Sequence, residues 1–290
     1  MTSFLPSRRD FLGVTAACGA ATAFELAAPA RRSFWIFKLL RPECVLVHPV
    51  ATARLHCSDG LRQWIVEGDQ SVCVTKDSDY TRLSGPDGSS VVCALEVPGE
   101  IRRTFSGTFE FYGSAEYVLP IVTMDCETAT GSIVGAELPA SAAHFDALAA
   151  QAIVSRSVVC GTGAPQHEIA DFCDTTHCQF LRSPAPRDSV IARAVHATHA
   201  YVLVNSGRIL PARYSAACGG QTEAGFHNGH RYESVRCDIC RENGNSRRGH
   251  GWGLCQEGAM ELARRSFTWR EILAKYYPNA RVVDQVSIGL

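Results

Sequence analysis

Short apolar runs separated by turn residues fill the stretch from Cys44 to about Val122. Val45-Leu46-Val47, Ser71-Val72-Cys73-Val74 and Val91-Val92-Cys93-Ala94-Leu95 are rich in β-branched residues, and Ser58-Asp59-Gly60 and Gly85-Pro86-Asp87-Gly88 interrupt the pattern. Such runs predict strands. Thr104 to Tyr112 sets Phe105, Phe109 and Phe111 on one parity, as a half-buried strand would. The period then changes. From about Ala140 to Val159, Phe145, Leu148, Ala149, Ala152 and Ile153 recur at helical spacing in an alanine-rich stretch, with Ser141 available as N-cap, which predicts a helix. Two β-like stretches follow, Ala194 to Val204 and Arg208 to Tyr214, then an amphipathic helix near Glu257 to Arg265 and a short one around Trp269 to Tyr276. Strands first and helices mixed in later predict an α+β fold. The expected layout is a β-rich N-terminal lobe over 31–120, a mixed α/β lobe over 121–283, a cleft between them, and a tail over 284–290.

The first thirty residues follow a different logic. Ser7-Arg8-Arg9-Asp10-Phe11-Leu12 opens an apolar, small-residue stretch that ends at Ala28-Pro29-Ala30, the order of a twin-arginine export signal and its cleavage site. Glu25 interrupts that stretch, which is short for a membrane span, and Phe34-Trp35-Ile36-Phe37 is shorter still. The mature chain is therefore expected outside the cytoplasm, in the periplasm or cell envelope, with no stable membrane span.

Composition sharpens this reading in two ways. At 290 residues and 46% hydrophobic the chain has ample material for a core, and its net charge of −1 gives no global basic field for nucleic acid. Thirteen cysteines are many for this length. They imply metal or redox chemistry in a reducing compartment and disulfides in an oxidising one. The twin-arginine route carries folded proteins, so a thiolate metal site can fill before export, and zinc and disulfides can coexist.

The chemistry-bearing blocks come in a fixed order. Val134-Gly-Ala-Glu-Leu-Pro-Ala precedes the helix containing Ala149-Ala150-Gln151-Ala152. Then come Asp171-Phe-Cys-Asp-Thr-Thr-His-Cys-Gln179, Tyr214-Ser-Ala-Ala-Cys-Gly-Gly-Gln-Thr222, Gly249-His-Gly-Trp-Gly-Leu-Cys-Gln-Glu-Gly-Ala259 and Glu271-Ile-Leu-Ala-Lys-Tyr-Tyr-Pro278. Over about Leu119 to Arg281 the chain resembles the stage II sporulation protein D (SpoIID/LytB) family. That resemblance implies a peptidoglycan lytic transglycosylase, or an enhancer of a cell-wall amidase. It places the essential carboxylate of a Glu-x-Pro motif on Glu137, as general acid and then base at the bond between N-acetylmuramic acid and N-acetylglucosamine. A single carboxyl suffices when the muramyl C6 hydroxyl, and not water, closes the reaction. The residues themselves leave a contest: Leu138 and Pro139 would help Glu137 keep a proton by desolvation, and a nearby helix N-terminus would oppose them.

The resemblance also implies a zinc ion on His167, Cys173 and Cys178, thiolates and an imidazole being suitable ligands; a local Cys173–Cys178 disulfide is the alternative. His177, between the ligands, is a candidate substrate residue or a support for them. Gln179, Tyr214, Ser215, His250 and Gln256 are candidate substrate contacts, with Gly249, Gly251 and Gly253 allowing close backbone approach. Cys237-x-x-Cys240 sits in a polar setting unlike a thioredoxin motif, and reads as a structural disulfide or half of a second metal site that Cys218 and Cys255 could join. Trp252, Cys255 and Glu257 depart from the residues more common in the family, which touches glycan preference. The expected partners are glycan strands, preferably denuded of stem peptides, and a cell-wall amidase. The alternative functions are a non-catalytic glycan-binding enhancer and a zinc peptidase, although no His-Glu-x-x-His motif is present.

Overall fold

Alternation along the first lobe becomes a large antiparallel sheet in the computed structural model, which describes residues 31–50, 53–138, 144–183, 185–227 and 229–285. Its strands are β1 (Arg31–Trp35), β2 (Cys44–Pro49), β3 (Leu55–Ser58), β4 (Gln63–Val66), β5 (Val72–Thr75), β6 (Tyr80–Ser84), β7 (Val91–Val97), β8 (Ile101–Gly113) and β9 (Val118–Asp125). Val45 and Val47, then Val91, Cys93, Leu95 and Val97, then Phe105, Phe109 and Phe111 face one core, because a strand turns alternate side chains to one face. β8 carries two partnerships: its first half pairs with β7 and its second half with β6 and β9. Gly107 marks the change, and a Cβ there would stand 2.5 Å from the Thr123 carbonyl oxygen.

Helix α1 (Cys126–Glu137) follows β9 directly. The sequence pattern does not predict it, since Thr128, Thr130, Gly131 and Gly135 are poor helix formers. Two things hold it: Asp125 caps it by accepting from the Thr128 N–H (2.8 Å), and Ala129, Ile133 and Val134 are buried. Helix α2 (Phe145–Gly161) starts later than expected, with His144 at its N-cap making no side-chain bond; Ser141 lies outside the described residues. Every residue from Ala147 to Cys160 is buried, so α2 is a core helix and shows no strong polar face. Arg156, fully buried on it, makes a two-point ion pair with Glu127 of α1 (both contacts 2.7 Å) and donates to the Tyr201 carbonyl (3.0 Å). That pair fixes how α1 lies on α2.

The remaining elements are β10 (Phe172–Cys173), α3 (Val190–Ala197), β11 (Tyr201–Asn205), β12 (Arg208–Ile209), β13 (Tyr214–Ser215), β14 (Gly225–His227), β15 (His230–Tyr232), α4 (Asp238–Glu242), β16 (Leu254–Cys255), α5 (Gln256–Arg264), α6 (Trp269–Tyr276) and β17 (Arg281–Asp284). Strand was expected across Ala194 to Val204; its first part is helical, because Ser189 caps α3 (3.1 Å to the Ala192 N–H) and Ile191, Ala194 and Thr198 repeat at helical spacing toward the core. The stretch Arg208 to Tyr214 gives only two-residue strands on either side of Pro211, which has no N–H to offer a ladder. The fold is α+β, as expected. The cleft, however, opens within the second lobe, its lining drawn wholly from 137–256.

Candidate active site and its cysteine clusters

One wall of the cleft is built on the large sheet. β10 joins its edge beside β1, with Trp35 opposite Cys173. Buried acids clamp the loop that leaves this edge: Asp171 accepts from the backbone and hydroxyl of Ser33 (2.9 and 2.8 Å), and Asp174 accepts from the Phe37 N–H (3.0 Å) and Arg103 (3.3 Å). Thr175 to Phe180 then run along the cleft, with Glu137 at the last position of α1 beside them.

Glu137 is half-buried in a cavity of about 310 Å³. Burial raises its proton affinity above that of an ordinary carboxyl, against the Gln256 and Tyr214 side chains, the charge of Arg182 and the Phe180 N–H, which all favour the carboxylate. Gln256 Nε2 donates to Glu137 Oε2 at 3.3 Å. To the contest between desolvation and a helix N-terminus the structure adds α1, whose C-terminal end Glu137 occupies; that end disfavours negative charge and acts with burial. The Tyr214 hydroxyl donates to Gln179 Oε1 (2.7 Å) and lies within reach of Glu137, so its one proton can turn to the carboxylate when Glu137 is ionised.

The opposite wall comes from β13 and the glycine-rich loop. Parallel pairing of β13 with β16 sets Tyr214 opposite Leu254 and Ser215 opposite Cys255, which brings Gln256 to the cleft. Gly249 has a φ of 93°, and a Cβ there would lie 3.0 Å from the Ser215 Cβ, so this close approach needs glycine. Ser215 is buried, and its hydroxyl has no hydrogen-bond partner among the described residues. His250 accepts from the Trp252 N–H through Nδ1 (3.0 Å), leaving Nε2 to carry the proton. The residue is exposed, yet partial desolvation and the charge of Arg213 push its pKa down to about 4, so it is a neutral hydrogen-bonding group.

Sequence reasoning missed Gln151 and Ser155. Both are fully buried on α2, where Gln151 donates to Ser155 (3.1 Å) and accepts from Gln256 (3.4 Å). A polar pair at i and i+4 inside an alanine-rich, buried helix is the signal that could have found them. It was also silent on Arg182 and Arg213, for which the sequence holds no comparable mark.

Two clusters of metal-ligating side chains stand out. His167, Cys173 and Cys178 come together as expected, and His177 joins them, with all four ligand atoms within 4.8 Å of one another. Cys178 Sγ lies 3.3 Å from His167 Nε2 and 3.2 Å from His177 Nδ1. Tetrahedral zinc would separate such a sulfur and nitrogen by about 3.5 Å, so the donor set fits that ion. Trp35 packs edge-on against His167, and Lys38 Nζ lies 3.5 Å from its other nitrogen. Cys237 and Cys240 form the second group together with Cys218 and Cys255.

These features define a class: an α+β protein with a half-buried carboxyl of raised proton affinity in a cleft beside a cysteine–histidine cluster. Residues 114–205 match the family model described as Stage II sporulation protein, SpoIID, which supports the assignment of the chain to the SpoIID family. That family is associated with cell-wall lytic activity. The matched segment contains Glu137 and the whole His167–Cys178 cluster but stops short of Tyr214, His250 and Gln256. No curated protein matches the chain. Among the described residues no helix is long and apolar enough to cross a membrane.

Proposed function

We propose that this chain is an exported peptidoglycan lytic transglycosylase that cleaves the MurNAc–GlcNAc bond of denuded glycan strands. One observation carries the reading: a single carboxyl, Glu137, whose proton affinity burial raises, faces a cleft of saccharide dimensions whose other wall offers hydrogen-bonding side chains. Glu137 gives its proton to the bridging oxygen while the bond from the anomeric carbon to that oxygen breaks, its electron pair leaving with the oxygen as the free N-acetylglucosamine hydroxyl. The muramyl C6 oxygen then attacks the cationic anomeric carbon. Its proton passes to the Glu137 carboxylate, which Gln256 and Tyr214 stabilise in the interval, and the acid is restored. Atoms balance without water, and the product carries a 1,6-anhydro end.

Gln256 donates to Gln151, which in turn donates to Ser155, so the acid is oriented from the core helix. Ser215 and His250 are suited to hydroxyl and N-acetyl groups of the strand. A zinc ion on His167, Cys173 and Cys178 would keep a fourth position with which to polarise a substrate oxygen, whereas with His177 as fourth donor the site would be closed and would only pin the loop that carries Gln179. Export rests on residues 1–30, which lie outside the described residues.

The test is to incubate the purified chain with denuded glycan strands and seek anhydro-muramyl ends by mass spectrometry. The reading expects them from wild type and not from Glu137→Gln. Strand binding with no cleavage by wild type would overturn it in favour of a glycan-binding enhancer.

A further inference from the structure

The glycan chemistry makes no use of Cys218, Cys237, Cys240 and Cys255, although all four are almost wholly excluded from solvent, none more than 1% exposed. They come from three separate segments: the turn after β13, the two ends of a Cys-x-x-Cys step, and the residue before α5. Their sulfurs nonetheless converge on one centre, all within 4.8 Å of one another, with Cys240 and Cys255 at 3.4 Å. Sulfurs around a tetrahedral zinc would be about 3.8 Å apart, from zinc–sulfur bonds of about 2.3 Å.

The backbone around them supplies a second, independent observation. The N–H groups of Gly258, Gly220 and Cys240 point at Cys255, Cys218 and Cys237 respectively, the first at 3.4 Å, and the buried Tyr276 hydroxyl lies 3.3 Å from Cys237. Donors aimed at sulfur favour thiolates, the form a metal binds. Gly258 leaves room for this: a Cβ there would stand 2.9 Å from the Cys237 sulfur. Two separate disulfides would need two bonded pairs, not four mutual neighbours sharing one set of donors.

We propose that these four residues form a closed tetrathiolate site for a soft, tetrahedral divalent ion, zinc above all, that pins the second wall of the cleft. Each thiol releases its proton as the ion binds, and no electron transfer is involved. The site ties Cys218, four residues after Tyr214, to Cys255, the neighbour of Gln256. It therefore sets both groups that hold Glu137, and it stands whether or not the glycan reaction is as described above.

The test uses the full chain, isolated under reducing conditions without chelator. Elemental analysis should give two zinc ions per chain, and zinc X-ray absorption should give an average of about three sulfur ligands per ion, four from this site and two from the cleft cluster. The Cys173→Ser/Cys178→Ser double variant should keep one ion. Loaded with cobalt(II), that variant should show the intense d–d and sulfur-to-metal charge-transfer bands of a tetrathiolate site. One zinc per chain in wild type with an average of two sulfurs, or disulfides among the four cysteines in non-reduced peptide maps of the freshly isolated protein, would overturn the proposal; the wild-type measurements stand even if the variant fails to fold.

Discussion

The two walls of the cleft are built by different means. The first, from α1 and the loop after β10, brings a carboxyl of raised proton affinity and a partly exposed cluster of two thiols and two imidazoles, and it is anchored in the large sheet through Asp171 and Asp174. The second, from β13 and the glycine-rich loop, presents hydrogen-bonding groups together with Arg213 and Arg248, no carboxyl, and is backed by four buried cysteines. On the proposed mechanism proton transfer falls to the first wall and substrate positioning to the second, since a group that must titrate needs an environment that shifts it, whereas a hydrogen-bonding surface needs only rigidity. A metal site open to the cleft suits chemistry, and a closed one suits structure.

Substitutions divide accordingly. Glu137→Gln should lower the rate of anhydro-muramyl release by about 10³-fold, within the span of general-acid effects, with strand binding retained in a pull-down. Removing the guanidinium that fixes α1, as in Arg156→Met, should cost about 3–5 kcal/mol in urea unfolding, because Glu127 is left without its buried partner. Gln256→Met should slow turnover by about ten- to a hundredfold and also move the pH profile. Its direction follows from the signs. The active form is protonated, so activity is present below the Glu137 pKa and lost as pH rises through it; burial already places that loss above the ordinary carboxyl value, and deleting a bond that favours the carboxylate moves it higher still. His250→Gln should change turnover only a few-fold and leave that limb in place, because a ring already neutral contributes no charge change there. An effect of His250→Gln as large as that of Glu137→Gln would erase the division between the walls.

Chelation gives the remaining contrast. A competing chelator should strip the partly exposed cleft cluster before the buried one, so zinc release followed with a chromophoric chelator should be biphasic. Release in a single phase would mean that the clusters are equally accessible.

Much of the fold was legible because period is local. The alternating runs became β2, β5, β7 and β8, and the amphipathic segments became α5 and α6, the latter with the same ends, Trp269 and Tyr276. Helix α1 was not legible, since its threonines and glycines speak against a helix and only the Asp125 cap and packing on α2 offset them. The α3 region was misread for a related reason: Ala194 and Val195 belong to a face whose partner, α2, is distant in sequence.

The sequence alone determined the inventory and its order: one carboxyl in its motif, the His167–Cys173–Cys178 donors, the neutral residues of the glycine-rich loop, and thirteen cysteines. Those are properties of residue types and spacings, and a chain carries them unfolded. Only tertiary structure decided that Glu137 closes a helix and does not open one, that His177 joins the donors, and that Cys218 and Cys255 meet Cys237 and Cys240. Each of these depends on segments tens of residues apart packing on a common core, and no local periodicity encodes the distance between side chains so brought together.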